Sequence, residues 1–129
     1  MTERPAMTRK RLIFFASTDP RTDPKPTGQA YHFATVAARA GLDAEVRLAG
    51  DAVRIAQPGG VAATPEGEAL QEKAHQATDN PYLVSLCPSC VTTREVSQDQ
   101  IDSIGGFQRP LADILTEVAE GRSELIYVG

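Results

Sequence analysis

Tryptophan is missing from this chain, aromatic residues make up only 5% of it, and cysteine occurs just twice. Two cysteines are too few for the disulfide framework of a small secreted domain, which points to a reducing cytoplasm as the compartment. No apolar run approaches the roughly 20 residues that a membrane span needs, so no membrane partner is expected. The opening stretch, Met1 to Lys10, is polar and lacks the apolar segment of a secretory signal. Basic excess is lacking too. Against 17 acidic residues stand 13 lysines and arginines, a net charge of -4, and phosphate binding needs a basic face. Nucleic acid is therefore excluded as a partner. The small cluster Arg9-Lys10-Arg11 reads as the solvated entrance to a strand.

Motif absences narrow the chemistry further. There is no G-x-G-x-x-G and no G-x-x-x-x-G-K-[ST] loop, so nucleotide phosphates have no obvious cradle. No Ser/His/Asp arrangement stands out either, and no cofactor is expected.

What is present has the balance of a globular protein: 129 residues, 41% hydrophobic and 23% charged. Residues 10–129 read as a single domain behind a flexible N-terminal tail, 1–9. Leu12 to Ala16 is a continuous apolar run, the pattern of a strand buried on both faces. The loop from Ser17 to Thr27 holds Pro20, Pro24 and Pro26 and reads as stiff and non-helical. A helix follows, with Ala30, Phe33, Ala34 and Ala37 on one stripe and Gly41 as its C′ residue. Asp43 to Leu48 reads as a strand in which Ala44, Val46 and Leu48 alternate with charged neighbours. Asp51 to Ala56 fits a short helix capped by Asp51 and ended at Pro58-Gly59-Gly60.

Thr64 as N-cap, Pro65 at N1 and the acidic pair Glu66 and Glu68 open the next helix. Leu70, Ala74 and Ala77 form its inward stripe, and Asp79-Asn80-Pro81 breaks it. Tyr82 to Leu86 is the third strand. A short helix around Ile101 and Ile104 and a brief fourth strand follow, then a helix opened by Pro110. In that last helix Leu111, Ile114, Leu115 and Val118 share one face, and Leu125 to Val128 closes the chain as a buried strand. Strands alternating with helices predict an α/β fold: a flavodoxin-like three-layer α/β/α sandwich around a five-stranded, mostly parallel sheet.

In such sheets ligands sit beyond the carboxyl ends of the strands. Two loops qualify: Ser17, Thr18 and Asp19 after the first strand, and Cys87-Pro88-Ser89-Cys90 after the third. Carried on neighbouring strands, they would wall one pocket. Pro88 suits N1 of a helix, which makes Cys87 the N-cap and Cys90 the N3 residue. A thiolate at an N-cap accepts free backbone N–H groups and feels the positive end of the helix, which lowers its pKa. Cys90 is placed to form a disulfide or receive a sulfur atom, and Arg94 one turn on adds positive charge. The competing readings are a pair of small buried hydrophobes, a thioredoxin-type redox motif, and a zinc site. Zinc needs two further ligands, and only His32 and His75 offer imidazoles, so no metal is assigned. Ser17, Thr18 and Asp19 could also face a flavin phosphate, although three prolines make that loop a poor phosphate nest.

These pieces resemble the DsrE/DsrF-like family, which includes TusD-type sulfur-relay proteins and their YchN-like relatives. The resemblance runs from about Arg11 to Val128 and follows the family's order. Ser17-Thr18-Asp19-Pro20 matches the loop after the first strand. Val46 to Val53 is similar to the family's strand and Gly-Asp-Gly-Val turn, with Ala52 in place of the second glycine. Cys87-Pro88-Ser89-Cys90-Val91-Thr92-Thr93-Arg94 is similar to Cys-x-x-Cys-x-x-x-Arg-Gly, with Glu95 where the family usually has glycine. The resemblance implies a sulfur carrier or sulfurtransferase-like protein that takes up sulfane sulfur as a persulfide on Cys87. It also implies a homotrimer or homohexamer and a sulfur donor or acceptor protein as partner. The alternatives are a non-catalytic oligomeric protein that binds a small ligand or partner, and a thiol redox sensor that closes a Cys87–Cys90 disulfide.

Overall fold

The computed structural model describes residues 10–129. The tail expected over 1–9 and Arg9 of the basic cluster lie outside the described residues. Five strands form one sheet: β1 (Arg11–Ala16), β2 (Ala44–Leu48), β3 (Val84–Leu86), β4 (Gly106–Gln108) and β5 (Ser123–Tyr127). Their order is β4-β3-β2-β1-β5, and every neighbouring pair is parallel. This is a three-layer α/β/α, flavodoxin-like fold in which the last strand takes the edge beside β1 that the second strand takes in flavodoxins.

Register divides the sheet into two unlike faces. On one, Phe14, Ala16, Val46, Leu48, Val84 and Leu86 join a single apolar core. Helices α1 (Lys25–Arg39) and α2 (Pro65–Ala77) bring Ala30, Tyr31, Ala34, Leu70 and Ala74 to that core. The small side chains allow α1 to lie close to β1 and β2. Two six-residue helices, α3 (Pro88–Thr93) and α4 (Gln98–Ser103), add Val91 and Ile101. The opposite face carries Ile13, Phe15, Glu45, Arg47 and Ser85, since side chains alternate along a strand. The nine-residue α5 (Leu111–Ala119) packs on this side, with Ile114 fully buried.

The expected caps form. Thr64 Oγ1 accepts the Gly67 N–H at 3.1 Å at the start of α2, and Gly41 follows α1 with φ 81°. Other expectations need correction. Helix α1 begins at Lys25, inside the stretch read as loop, because Pro26 falls in the first turn, where a missing N–H costs nothing. The segment expected as a helix capped by Asp51 is a 3₁₀ helix, Gly50–Ala56, flanked by Ala49. Strand β3 starts two residues late, because Tyr82 has φ 66° and lies outside the extended region.

Two further corrections concern burial. Glu45 and Arg47, the charged neighbours with which the apolar residues of β2 alternate, do not mark a solvent face: both are 1% exposed. Strand β2 is central, so its second face is covered as well as its first. Conversely, Leu111, Leu115 and Val118, expected to be buried with Ile114, are 50%, 49% and 37% exposed. Their helix lies over the sheet margin near β5, and β5 is itself an edge strand with Tyr127 exposed.

Candidate functional site

The cysteine pair sits where β3 becomes α3. The Cys87 N–H still donates to Leu48 O at 3.0 Å, extending the β2–β3 ladder by one bond. Pro88 then fixes the backbone for the first helical turn, and the Cys87 carbonyl accepts the Val91 N–H at 3.0 Å. Cys87 is thus the N-cap residue, with φ -71° and ψ 121°. Its sulfur, however, receives no aligned capping hydrogen bond. It lies instead 3.3 Å from Ser89 Oγ.

The two thiols have opposite electrostatics. Burial pushes the Cys87 thiol up, but hydrogen bonds from Ser89 and from Cys90, with the charge of Arg47, outweigh it. The result is a pKa brought down to about 7. Burial and the neighbouring Cys87 push Cys90 up, against the Gly50 N–H and the charge of Arg94. Gly50 N–H points at Cys90 Sγ across 3.2 Å, which turns this sulfur toward the β2 turn. The pair therefore holds its first proton loss on Cys87 and keeps Cys90 as the thiol.

Beside Cys87 lies a small recess of about 60 Å³, lined by Phe15, Arg47, Ala49, Leu111 and Leu125. Its surface is almost wholly apolar, and the unpartnered Nε and Nη2 of Arg47 are buried rather than open to it. Arg47 belongs to a polar network on the second face of the sheet. Arg47 Nη1 donates to Arg109 O at 2.6 Å and lies 3.4 Å from Ser85 Oγ. Ser85 Oγ donates to Glu45 Oε2 at 2.6 Å, and Arg109 Nε reaches the same oxygen at 3.3 Å. Arg109 also grips Glu117 through both terminal nitrogens, at 3.0 and 2.8 Å. Arg11 completes the cluster with 3.4 Å to Glu45 and 3.7 Å to Glu117. Among the described residues, no carboxylate comes within ion-pair distance of Arg47.

The residues picked from sequence are distributed unevenly. Cys87, Pro88, Ser89 and Cys90 form one turn, as their spacing requires. Arg94 faces away from Cys87: its Nε bonds Asp51 Oδ1 at 2.7 Å, and its charge acts on Cys90. The Ser17–Asp19 loop lies across β2 from the cysteines, because β1 and β3 are not neighbours. Ser17 Oγ is 3.0 Å from Tyr127 Oη, and Asp19 is held by Arg21. None of Ser17, Thr18 and Asp19 lines the recess; Phe15, two residues earlier on β1, does. His32 and His75 line clefts beside α1 and α2, away from the cysteines. Among the described residues, no three His, Cys, Asp or Glu side chains are grouped to hold a metal.

Arg47 and the recess walls were not picked out in the sequence. A usable signal existed: a Glu-x-Arg pair inside the central strand of a sheet covered on both sides must bury its charges.

The class is thereby defined: an all-parallel, flavodoxin-like α/β/α protein that carries a cysteine pair at the turn from its third strand into the following helix. The chain belongs to the DsrE/DsrF-like family, whose model matches residues 10–122. Two solved structures share the fold. A conserved protein of unknown function from Bacteroides thetaiotaomicron superposes with a TM-score of 0.68 at 16% identity, covering 97% of this chain and 100% of its own. The ychN protein from E. coli gives 0.64 at 18% identity, covering 92% and 98%. No curated protein matches the chain significantly. No helix of the described residues is long and apolar enough to cross a membrane.

Proposed function

We propose that the protein is a cysteine-based sulfur carrier that takes sulfane sulfur onto Cys87 as a persulfide. The observation that carries this reading is the inequality of the two thiols. Cys87, with a pKa near 7, is substantially thiolate at neutral pH, while Cys90 beside it is held protonated. A thiolate attacks the outer sulfur of a donor, the donor's sulfur–leaving-group bond breaks, and the leaving group departs with the electron pair. Cys87 is left as Cys–S–S⁻ with no change in the total electron count. Family membership supports the same chemistry, and a cytoplasmic setting would keep both thiols reduced.

Intact mass after exposure to a sulfane-sulfur donor tests the proposal on wild type, Cys87→Ser and Cys90→Ser. One added sulfur that is lost only in Cys87→Ser is the expected result; no adduct on any form would overturn it. The contact between the two thiols favours a second reading, a redox sensor. That reading expects loss of two hydrogens under mild oxidation, dependent on both cysteines.

Assembly into a homotrimer or homohexamer belongs to the same proposal. Leu111, Leu115 and Val118 on α5 and Tyr127 on the edge strand present apolar surface that a second copy would cover. Sedimentation analysis reads the assembly directly, and a monomer at all concentrations would remove this part of the proposal. A sulfur donor or acceptor protein is the expected further partner.

A further inference from the structure

The recess beside Cys87 draws its walls from separate elements: Phe15 from β1, Ala49 after β2, Cys87 after β3, Leu111 at the start of α5 and Leu125 within β5. Arg47 gives it hydrocarbon rather than charge. Its Nη1 is bonded to Arg109 O, its Nε and Nη2 are buried, and the Cys87 thiolate matches its positive charge. The surface of the recess is accordingly almost free of polar atoms.

These walls define what fits. An ion entering here would shed its water and find no hydrogen bond in return, which is strongly unfavourable. A hydrocarbon group gains instead, by about fourfold in an equilibrium constant for each methylene buried. A volume of about 60 Å³ takes the equivalent of about four waters, so a chain of about three or four non-hydrogen atoms fills it. Leu111 is half-exposed, so the recess borders solvent at the start of α5.

We propose that the recess seats a short, uncharged hydrocarbon group of about three or four non-hydrogen atoms, carried by the sulfur compound that reacts at Cys87. The substrate class is then an alkyl sulfur compound of low molecular weight; an inorganic anion such as thiosulfate gains nothing from these walls. The kind of compound rests on the sulfur-carrier reading, whereas the recess selects in this way whether or not Cys87 goes on to carry sulfur.

Alkyl methanethiosulfonates test this without any sulfane sulfur. The Cys87 thiolate attacks the sulfur that bears the alkyl group, the S–S bond breaks, and methanesulfinate leaves with the electron pair. Cys87 becomes a mixed disulfide with the alkyl thiol. Rate constants for the methyl, propyl and hexyl reagents, read at Cys87 by peptide mass, are compared with those for a cysteine in a short unstructured peptide. Relative to the peptide, the rate at Cys87 should rise about tenfold from methyl to propyl and less than about twofold more from propyl to hexyl, because the recess is then full. The anionic 2-sulfonatoethyl reagent, close to propyl in length, should be at least about tenfold slower than propyl on the same scale. No gain from methyl to propyl overturns the site, a continued rise to hexyl overturns its size limit, and a sulfonatoethyl rate equal to propyl's overturns its exclusion of charge.

Ala49→Leu fills the recess and should abolish the propyl gain; a gain that survives in the folded variant overturns the proposal. Should Ala49→Leu not fold, Leu111→Ala opens one wall at a half-exposed position, and an unchanged propyl gain there overturns it. Leu111 also belongs to the face proposed for assembly, so the rates are read on the protein as it assembles. A recess sealed by a second copy would show no propyl gain and would overturn the proposal. Because these rates are read on the bare thiolate, a failed persulfide assay with the propyl gain intact would remove the sulfur-carrier reading and leave the recess. The reverse pattern would remove the recess alone.

Discussion

The Gly50 N–H donates to Cys90 Sγ at 3.2 Å, so the turn that ends β2 holds one of the two sulfurs that follow β3. Gly50 has φ 52°, and a Cβ there would meet Ser17 O at 3.3 Å. Both the left-handed backbone and the close carbonyl call for glycine. Gly50→Ala should therefore cost about 1–2 kcal/mol in urea unfolding. It should also loosen the Cys90 contact, which a faster reaction of Cys90 with a bulky thiol reagent would report.

The pH dependence of Cys87 follows from its lowered pKa. Its alkylation rate should rise with a midpoint near pH 7, well below the 9.0 of an unperturbed thiol. Ser89→Ala and Cys90→Ala each remove a side-chain hydrogen bond to the thiolate, so each should move the midpoint upward and slow reaction at pH 7 several-fold. A midpoint that stays put in both variants would show that neither side-chain hydrogen bond sets the Cys87 pKa, leaving the Cys90 backbone N–H and the Arg47 charge.

The order of elements, the Thr64 cap and the position of the cysteine turn were all readable in the sequence, because each rests on local chemistry: periodicity, N-cap oxygens, a proline at N1. The site's depth was not. Arg47 reads as an ordinary polar position in an alternating strand until the sheet order puts β2 in the centre. Likewise Leu111 looks like core on helical periodicity, yet α5 lies at a sheet margin and leaves it as a wall of the recess. Pairing across β1, β2 and β3 also decides that Phe15, rather than Ser17, Thr18 or Asp19, faces Cys87. Such non-local facts depend on strand order, which no single segment encodes.

Arg94 separates the two cysteines by experiment. Its Nε bonds Asp51 at 2.7 Å, and its charge favours the ionised form of Cys90. Arg94→Gln should raise the Cys90 pKa further and leave the Cys87 midpoint where it is. Thiol-specific titration of each cysteine, followed by mass, measures both at once. A shift at Cys87 with none at Cys90 would contradict the geometry.

Glu117 sets an acid limit on stability. The Arg109 guanidinium, outweighing burial and joined by Ser123 and Arg11, holds its carboxyl down to about 2 from an ordinary 4.5. A carboxylate with a depressed folded pKa adds stability above its unfolded value and loses it as the pH falls through its folded one. Glu117 should therefore contribute on the order of 2–3 kcal/mol above pH 4.5, fading as the pH drops toward 2. Unfolding free energies over that window should slope in wild type and flatten in Glu117→Gln.

Glu95 offers the reverse of the Gly50 experiment. The resemblance places glycine at this position, and Glu95 adopts φ 55°, the left-handed region that side chains with a Cβ pay to enter. Its N–H closes a turn on Thr92 O at 3.2 Å immediately after Arg94, and Val96 then enters the core. The conformation is therefore fixed by the turn on one side and by Val96 on the other. Glu95→Gly removes the strain of about 1–2 kcal/mol but adds unfolded-chain freedom worth about 0.5–1 kcal/mol. A net gain of about 0.5–1 kcal/mol is expected in urea unfolding. Glu95→Ala, which keeps the Cβ and removes the carboxylate, should show no such gain. Equal gains in both variants would assign the effect to the carboxylate rather than to the backbone.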